Sequence, residues 1–488
     1  MNGRRTSIAA LNFIIYILII FLAPIWVGAQ EWSEPVRISN SQEGDFYPKI
    51  IANDNFIHVA YTDRVGAAVH YTRSSDYGQT WSGPINLNPS NHAIEYPELI
   101  YTGSLVMCLW NSMINSNNNI CYRVSDNNGQ DWSELQYVLD PAWQNHMHYT
   151  VSNKGPSVNL ALVKDYVAGA LYNVQSNDFG VTWSNPNLIA DPLAIWGMCG
   201  QAQIGLDIHS VWAGNFEPVE PSLYYSHSTD GGLSWLEPVQ LKDNEYWNQS
   251  PRVDVNQSGC VGVTWIQNGN VFLRKSLNSG ESWDSIIQIT TNNTARDYCN
   301  IGLKNDQIYL LWGDNRFRQG DRDAVFFKKS IDGGFSWDDE VWLDLDTSKS
   351  VSPCLAYSYN KIFACWWEAI SPAESLSEAG IYFSCWPDFP DAIDEETPSL
   401  PSQLKLSAFP NPFNASTLIT YNGATEDSAI SIFDITGRLV RRLEISQESG
   451  SVVWDARDTK GNNLASGIYF AKYRDRQKQS SIKLLLIK

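Results

Sequence analysis

The sequence is poor in charged residues and has no basic cluster. Only 18% of its 488 residues are charged, and 53 acidic side chains outnumber 34 basic ones, which gives a formal net charge of −19. No Lys/Arg-rich run of five or more residues occurs. Because an acidic surface repels phosphate backbones, we do not expect nucleic acid as a partner.

Several short enzyme motifs are absent as well. The sequence has no G-x-x-x-x-G-K-[ST], H-E-x-x-H, G-x-S-x-G or C-x-x-C segment. These segments supply a phosphate-binding loop, zinc ligands, a serine nucleophile and a redox-active dithiol, respectively. The sequence therefore gives no support for a P-loop nucleotide hydrolase, a zinc protease of that type, a serine hydrolase or a thioredoxin-like protein.

Aromatic and turn-forming residues are abundant instead. The chain contains 20 Trp and 23 Tyr, together with 32 Gly and 22 Pro, and 43% of its residues are hydrophobic. Aromatic residues favour strands, while Gly and Pro favour tight turns, so the composition predicts many short strands. It excludes a collagen, a coiled coil and a polytopic membrane protein, and the length has room for two to four domains.

The first 29 residues are typical of an export signal. Arg4 and Arg5 precede an apolar run from Ile8 to Val27, and Val27-Gly28-Ala29 is a small-residue cleavage site. We expect cleavage after Ala29; an uncleaved anchor is the alternative, because the apolar run is about as long as a membrane span.

Export would permit disulfides among the eight cysteines. Cys108 and Cys121 flank one predicted hairpin, and Cys354, Cys365 and Cys385 fall on three successive predicted strands. Pairs within one sheet are therefore plausible, with buried free thiols as the alternative.

One motif, S-x-[DN]-x-G-x-x-W, occurs six times. Its tryptophans recur at intervals of 48 to 54 residues. Asp or Asn can hydrogen-bond the backbone two residues on, Gly supplies a positive φ, and we expect the indole to pack back over the hairpin that the motif closes. The six copies are Ser74 to Trp81, Ser125 to Trp132, Ser176 to Trp183, Ser228 to Trp235, Ser276 to Trp283 and Ser330 to Trp337.

Each motif ends a larger repeat of four predicted strands. A first strand often opens with Pro, as at Pro48 and Pro251, and a second carries an aromatic residue. The third strand leads into the motif and the fourth leaves it, which predicts one antiparallel propeller blade per repeat. The aromatic residues of the second strands are Tyr61, Trp110, Trp212, Trp265, Trp312 and Trp366.

The two ends of the repeat region complement each other. The segment at Trp32 resembles a fourth strand with no strands before it, whereas Ser352 to Asp388 supplies three strands with no fourth. We therefore expect the Trp32 strand to pair with the strand containing Tyr382. The predicted fold is an all-β, seven-bladed β-propeller over residues 30–388, with six blades as the alternative, then a linker (389–403) and a small β-sandwich (404–488).

The six motifs resemble the Asp-box (BNR) repeats of the sialidase-like β-propeller superfamily, over roughly residues 31–388. The tail resembles the C-terminal sorting domain of type IX secretion in Gram-negative bacteria, through Phe409 to Phe413, Phe433 to Arg438, Trp454-Asp455, Ala465 to Tyr469 and Lys483 to Lys488. The tail resemblance implies passage across the outer membrane, with attachment to the cell surface or release; a carbohydrate-binding or adhesive sandwich is the alternative for the tail. We also expect a monomer that engages this secretion machinery and binds a glycan.

Propeller connectivity separates two faces. The motifs fall on the lower face, so we expect their Asp and Asn side chains to be structural. Candidate ligand-binding residues fall on the upper face, where arginines suit a carboxylate or sulfate on an acidic glycan. The structural positions are Asp76, Asn127, Asp178, Asp230, Asn278 and Asp332, and the predicted substrate-binding arginines are Arg64, Arg252, Arg296 and Arg316.

The catalytic residues of sialidases are only partly matched. The resemblance implies an Arg on the first strand, but the matching stretch here is Phe46-Tyr47-Pro48. Tyr298 with Glu368 or Asp297 could form the tyrosine and carboxylate pair of a retaining hydrolase.

A polysaccharide lyase would instead use His and Tyr as base and acid, with an Arg beside them. His146 and His148, Tyr149 and Arg296 are available for these roles. No cofactor is expected; Ca²⁺ at Asp314 to Asp323 is a weak hypothesis, since three arginines in this segment oppose a cation. Three hypotheses remain: a glycan-binding propeller, a sialidase-like glycoside hydrolase and a polysaccharide lyase.

Overall fold

A computed structural model provides the structure. It describes residues 32–40, 44–63, 68–88, 97–102, 105–114, 117–139, 146–164, 169–190, 194–215, 222–242, 248–317, 323–344, 349–358, 361–369, 379–386, 405–409, 411, 413–414, 416–422, 428–434, 438–445, 449–474 and 479–487. The predicted export signal lies outside these residues. The chain divides into two compact units, Met1–Pro390 and Asp391–Lys488.

The first unit is built from strands and turns. Its early strands are β1 (Val36–Arg37), β2 (Asp45–Asn53), β3 (Phe56–Asp63), β4 (Val69–Ser74), β5 (Ile85–Asn86), β6 (Glu98–Thr102), β7 (Leu105–Ile114), β8 (Asn117–Ser125), β9 (Gln136–Tyr137), β10 (His146–Lys154), β11 (Ser157–Lys164), β12 (Ala170–Ser176), β13 (Asn187–Ala190) and β14 (Ala194–Ile204). Its later strands are β15 (Asp207–Asn215), β16 (Ser222–Ser228), β17 (Val239–Lys242), β18 (Asn248–Val255), β19 (Val261–Gln267), β20 (Asn270–Ser276), β21 (Ile287–Gln288), β22 (Ala295–Lys304), β23 (Gln307–Asp314), β24 (Ala324–Ser330), β25 (Val341–Trp342), β26 (Lys349–Ser358), β27 (Lys361–Ala369) and β28 (Gly380–Trp386).

These strands form seven four-stranded antiparallel sheets within the described residues. Sheets 1 to 6 each contain four consecutive strands, starting with β2–β5 and ending with β22–β25, and sheet 7 has the order β1-β28-β27-β26. The first strands of neighbouring sheets contact each other in a complete circuit from β2 through β6, β10, β14, β18, β22 and β26 back to β2. The unit is therefore all-β and propeller-like. In the part of the chain that is described, no helix is long and apolar enough to cross a membrane.

Sheet 7 joins the two ends of the first unit. Val36 of β1 lies opposite Phe383 of β28, and Arg37 lies opposite Tyr382. The backbone N–H of Ser33 also donates to the Cys385 carbonyl at 2.9 Å. The predicted pairing between the strand after Trp32 and the strand containing Tyr382 is confirmed.

The six motifs share one hydrogen-bond pattern. In each copy the Ser hydroxyl donates to the Asp or Asn side-chain oxygen at 2.7–2.9 Å. The backbone N–H of the motif Gly donates to the same Ser hydroxyl at 2.7–2.8 Å. The six glycines have φ between +78° and +94°, a region that side chains disfavour. The motif is thus a turn held by its own polar groups.

The sequence predicts that each motif tryptophan covers its own hairpin. In the structure these tryptophans also contact a neighbouring sheet. The indole N–H of Trp81 donates to the carbonyl of Gly78 in the same turn at 3.0 Å, yet its ring packs on Phe383 of sheet 7, 5.0 Å between centroids. Other tryptophans likewise pack on an aromatic residue in the third strand of the preceding sheet, so the motif also fastens neighbouring sheets. These pairs are Trp132 with Tyr71, Trp183 with Tyr122, Trp283 with Tyr225, and Trp32, in the motif position of sheet 7, with Phe327.

The second unit contains two smaller antiparallel sheets. Its strands are β29 (Lys405–Phe409), β30 (Thr417–Asn422), β31 (Ser428–Asp434), β32 (Leu439–Ile445), β33 (Ser449–Trp454), β34 (Gly467–Arg474) and β35 (Gln479–Leu486). One sheet has the order β29-β30-β33 and the other β32-β31-β34-β35. Buried residues from both sheets form one hydrophobic cluster around Trp454, which packs on Phe413 and Tyr469.

Deletion of residues 32–40 should destabilise the first unit. The deletion removes the outer strand of sheet 7 together with buried Ile38 and the Trp32 ring, a loss of about 4 kcal/mol or more in unfolding free energy. Urea denaturation measures it. Val36→Ala is the control, because this side chain is 49% exposed. An unchanged urea midpoint in the deletion variant would contradict a stabilising role for this closure.

Three Gly→Ala substitutions should separate backbone strain from steric overlap. At Gly129, φ is +78° and an added Cβ would overlap the Tyr71 hydroxyl, so we expect a loss of about 3 kcal/mol. At Gly333, φ is +73° but the space is open, so about 1 kcal/mol is expected. Gly83 has open space and no such φ, and its substitution should change stability by less than about 0.5 kcal/mol. Equal urea midpoints for the Gly129 and Gly333 variants would show that sheet-to-sheet packing at the motif is unimportant.

Candidate functional site

A cavity lies where the first strands of the sheets begin. Its open space is about 570 Å³, and a second space of about 650 Å³ overlaps it. All seven first strands contribute residues to the lining of the two spaces. Pro97, which precedes β6, also lines the first space. The polar and charged side chains of the lining, together with one cysteine, include Lys49, Glu98, His148, Gln201, Arg252, Tyr298, Asn300 and Cys354.

Irregularities in the first strands expose these side chains. The register with the second strand shifts just before Lys49 in β2, before Arg252 in β18 and before Asn300 in β22. The same shift precedes Cys354 in β26 and His148 in β10. A β-bulge redirects the side chains that follow it, so the bulges explain why these residues line the cavity.

Four non-glycine residues at these bulges have left-handed backbone conformations. Tyr47, Ser250, Tyr298 and Ser352 have φ of 55°, 50°, 46° and 54°. Three of them precede a proline, which cannot donate a hydrogen bond to the neighbouring strand. Such conformations cost about 1–3 kcal/mol each and cluster at functional sites. Their recurrence at one cavity favours a ligand-binding role for it.

Positive charge predominates in the cavity. Lys49 forms an ion pair with Glu98, with 2.7 Å between Nζ and Oε2. Arg252 donates from Nη1 to the Pro251 carbonyl at 3.0 Å, and its guanidinium carbon lies 5.8 Å from the centre of the Tyr298 ring. Among the described lining residues, the two cations Lys49 and Arg252 outnumber the single carboxylate.

His148 is held in its neutral form. Burial, followed by the positive charges of Arg252 and Lys49, lowers the pKa of His148 from 6.5 to about 4. The imidazole therefore stays unprotonated at pH values between about 4 and 6.5, at which an ordinary histidine is protonated. A neutral imidazole can accept a proton, so His148 has the protonation state that a general base needs.

The walls of the cavity are fixed by polar contacts between sheets. Asn300 donates from Nδ2 to the Pro353 carbonyl at 2.6 Å, which ties β22 to β26. Gln201 accepts a hydrogen bond from Ser152 at 3.0 Å, which ties β14 to β10. Gly200 lets β14 approach β18 closely, because a Cβ there would lie 3.1 Å from the Arg252 Cα. Lining residues of neighbouring sheets are thus fixed relative to one another.

The structure places the predicted residue Arg316 away from the described lining. Its guanidinium donates to both carboxylate oxygens of Asp314, at 3.0 and 2.8 Å, and to Glu340 at 2.7 Å. It also stacks on Phe326, 3.8 Å from the ring centre. Asp314 and Glu340 thus hold Arg316 in an ion-pair cluster, and its binding of a ligand stays a prediction. The Asp314 carboxylate, part of the weak Ca²⁺ hypothesis, is occupied by Arg316.

Glu368 also lies elsewhere. It is fully buried on β27, and the indole N–H of Trp366 donates to its Oε2 at 2.7 Å. Tyr298 lines the cavity. The pairing of Tyr298 with Glu368 or Asp297 stays a prediction.

The remaining predicted residues have different positions. Arg296 is exposed at the start of β22, and its guanidinium lies 2.6 and 2.9 Å from the side-chain amide of Asn315, whose oxygen accepts once the amide is turned to face it. His146 and Asp297 belong to β10 and β22, but their side chains, like the whole of Arg64, lie outside the described residues. Of the named candidates, the structure brings His148, Tyr149, Arg252 and Tyr298 to one cavity.

The motif carboxylates lie at the other end of the sheets. The motif of sheet 1 bonds to the hairpin between β2 and β3, through Tyr77 N–H and the Asn55 carbonyl. The cavity residues Tyr47 to Lys49 precede this end of β2 and reach only to its middle. Hydrogen bonds from the hydroxyl and then the backbone N–H of Ser234 lower the pKa of Asp230 to about 2. No group of three or more His, Cys, Asp or Glu residues that could hold a metal ion occurs in the described part of the chain.

Sequence reasoning missed Lys49, Glu98 and Asn300. Two of them share a signal with Arg252, since each directly follows the proline at the start of a first strand: Pro48-Lys49, Pro97-Glu98 and Pro251-Arg252. Aligning the repeats on this proline would have brought the three positions together. Asn300 follows Cys299 rather than Pro, so only the three-dimensional structure identifies it.

Two family models match the chain. Residues 27–245 match the BNR repeat-like domain, and residues 407–488 match the secretion system C-terminal sorting domain. No match was found among curated proteins.

Solved structures similar to the chain include polysaccharide lyases. A PL25 ulvan lyase has a TM-score of 0.53 at 13% identity, and the match covers 72% of this chain and 95% of the lyase. A second structure of a PL25 ulvan lyase, bound to -[GlcA(1-4)Rha3S]-, has a TM-score of 0.52 at 12% identity with the same coverage. The polysaccharide lyase Uly1 has a TM-score of 0.50 at 11% identity, covering 70% of this chain and 90% of Uly1. At these identities the likeness shows the fold alone.

The chain therefore carries a BNR repeat-like domain on an all-β, propeller-like fold, followed by a secretion system C-terminal sorting domain that directs it through type IX secretion to the cell surface or the exterior.

Proposed function

We propose that the protein binds an anionic polysaccharide outside the cell, in the cavity formed by the seven first strands. The seven sheets act as the blades of one closed propeller, and the tail is a small β-sandwich that serves export. The observation that carries the proposal is that two cationic side chains, Lys49 and Arg252, face one carboxylate at a cavity to which every first strand contributes, in a chain of formal net charge −19.

The chemistry of the lining suits such a ligand. A guanidinium binds carboxylate or sulfate through paired hydrogen bonds, and these charge-assisted bonds are stronger than neutral ones. Tyr47, Tyr149 and Tyr298 supply aromatic surface beside the charges.

Arg252→Gln should weaken the binding of acidic oligosaccharides about tenfold or more, because a hydrogen bond to a charged group contributes about 1.5–3 kcal/mol. Calorimetric titration of chondroitin sulfate and polygalacturonate oligosaccharides would measure this change. These probes carry the uronic acid and, in one case, the sulfate ester that also occur in the unit bound to the PL25 ulvan lyase. Raising the salt concentration should reduce the affinity of the unmodified protein more than that of the variant.

Lys328→Ala is the control. Lys328 lies near the motif end of β24, so this substitution also removes one positive charge, but at a position away from the cavity. Its affinity for both oligosaccharides should equal that of the unmodified protein. Equal binding of neutral laminarin oligosaccharides, or undiminished binding by the Arg252 variant, would refute the proposal.

Cleavage of the bound polysaccharide by β-elimination is a second candidate function, and the neutral state of His148 favours it. In this reaction a base removes the proton α to a uronate carboxylate, the cations stabilise the charge that develops there, and an acid protonates the leaving oxygen. His148 would be the base, Arg252 and Lys49 would stabilise the charge, and Tyr298 or Tyr149 would be the acid. A sialidase-like hydrolase, the third hypothesis, receives less support, because the first-strand arginine of sialidases is replaced here by the stretch Phe46-Tyr47-Pro48.

The pH dependence of cleavage tests the role of His148. Since the base must be neutral and the pKa of His148 is about 4, kcat/KM should stay constant from pH 7 to about pH 5 and fall only near pH 4. An ordinary histidine would lose activity below about pH 6.5. Ultraviolet absorbance of the unsaturated uronate product measures the rate.

His148→Gln should abolish product formation while acidic oligosaccharides still bind. His70→Gln is the control, since His70 lies on β4 beside Asp63, with 3.6 Å between Nε2 and Oδ2. If the unmodified protein binds acidic oligosaccharides but yields no unsaturated product, the lyase candidate fails and the binding function stands.

A further inference from the structure

Two cysteines of sheet 7 face each other across neighbouring strands. Cys354 of β26 lies directly opposite Cys365 of β27. Their Sγ atoms are 3.0 Å apart, and both side chains are buried, with exposed fractions of 7% and 0%. The sequence allowed these two cysteines, and Cys385, to pair within one sheet; the structure distinguishes among them.

The geometry matches the requirements of a disulfide. Directly opposed residues of antiparallel strands have Cα atoms about 4.5–5.5 Å apart, within the range of about 4.4–6.8 Å that disulfides span. The sulfur atoms need to approach by only about 1 Å to reach the covalent distance of about 2.05 Å. A small side-chain rotation is sufficient, and the strand pairing is already that of the cross-linked state.

The other within-sheet candidates are not opposed. Cys108 lies opposite Arg123 and Cys121 opposite Trp110, so this pair is offset along the strands. Cys385 lies opposite Phe363, which places it diagonally from Cys365 rather than beside it. Diagonal positions in a sheet are about 7–8 Å apart at Cα, too far for an unstrained disulfide.

We infer that Cys354 and Cys365 form a disulfide in the exported protein. Type IX secretion takes the chain out of the reducing cytoplasm, where disulfides are rare, into compartments where they persist. The two thiols lose two protons and two electrons to the disulfide of a thiol-disulfide oxidant, which becomes two thiols as the Sγ–Sγ bond forms. The inference rests on export and on the sheet geometry, and not on the proposed glycan binding.

The bond would strengthen the sheet that joins the chain ends. It links β26 to β27, while β1 and β28 complete the same sheet without a covalent bond. Cys354 follows Ser352 and Pro353 in the bulge that lines the cavity, so the cross-link also fixes this part of the cavity wall. Burial raises the pKa of the Cys365 thiol, which disfavours the reactive thiolate and slows exchange of the reduced pair in the folded protein.

Peptide mapping of the protein secreted by its host, alkylated under denaturing conditions without reductant, tests the inference. We expect one linked peptide pair containing Cys354 and Cys365, while Cys108, Cys121, Cys199, Cys260 and Cys299 become alkylated. Reduction during unfolding should lower the Tm of the unmodified protein by about 5 °C, because closing a short loop restricts the unfolded chain.

The double variant Cys354→Ala, Cys365→Ala should show no change of Tm on reduction. The matched control Cys108→Ala, Cys121→Ala removes two buried thiols from sheet 2 and should keep the reductant-dependent shift of the unmodified protein. Alkylation of all eight cysteines in the unreduced protein, or a linkage of Cys365 to Cys385, would overturn the inference. Because the mapping reads the covalent bond itself, it remains decisive even where a variant folds poorly.

Discussion

The pairing of β1 with β28 is the constraint on which the rest of the first unit depends. It completes sheet 7, whose first strand β26 contacts both β22 and β2 in the circuit of first strands. Trp81 packs on Phe383 of the same sheet and Trp32 on Phe327 of sheet 6, so aromatic contacts continue across both sides of this junction. The cavity exists because the seven first strands are held in this circuit.

The cavity combines strain with charge. Bulges and left-handed residues such as Tyr298 depart from regular strand geometry at the start of the first strands, while the opposite ends carry regular hairpins and the six motifs. The stable packing of the motifs can offset the cost of the irregular ends. In this way the same repeat provides a rigid lower face and an upper face whose side chains differ from sheet to sheet.

The sequence predicted the repeat, the all-β class and the closing strand pair because these depend on local turn chemistry and on a regular spacing. Site residues were harder to predict, because their positions depend on bulges and on neighbours. Arg316 donates a hydrogen bond to Asp314, two residues earlier in the chain. Glu368 likewise accepts a hydrogen bond from Trp366, which is also two residues earlier. Alternation along β27 places Trp366 and Glu368 on one face, so this contact could be predicted from the sequence. The approach of Lys49 to Glu98 from different sheets was not.

The structure of a complex tests the central claim most directly. Crystals of the protein soaked with a chondroitin sulfate tetrasaccharide should show the sugar in the cavity, with a carboxylate or sulfate within hydrogen-bond distance of the Arg252 guanidinium and an unchanged Lys49 to Glu98 pair beside it. A tetrasaccharide bound only on the motif face or the outer strands, with the cavity unoccupied, would contradict the account.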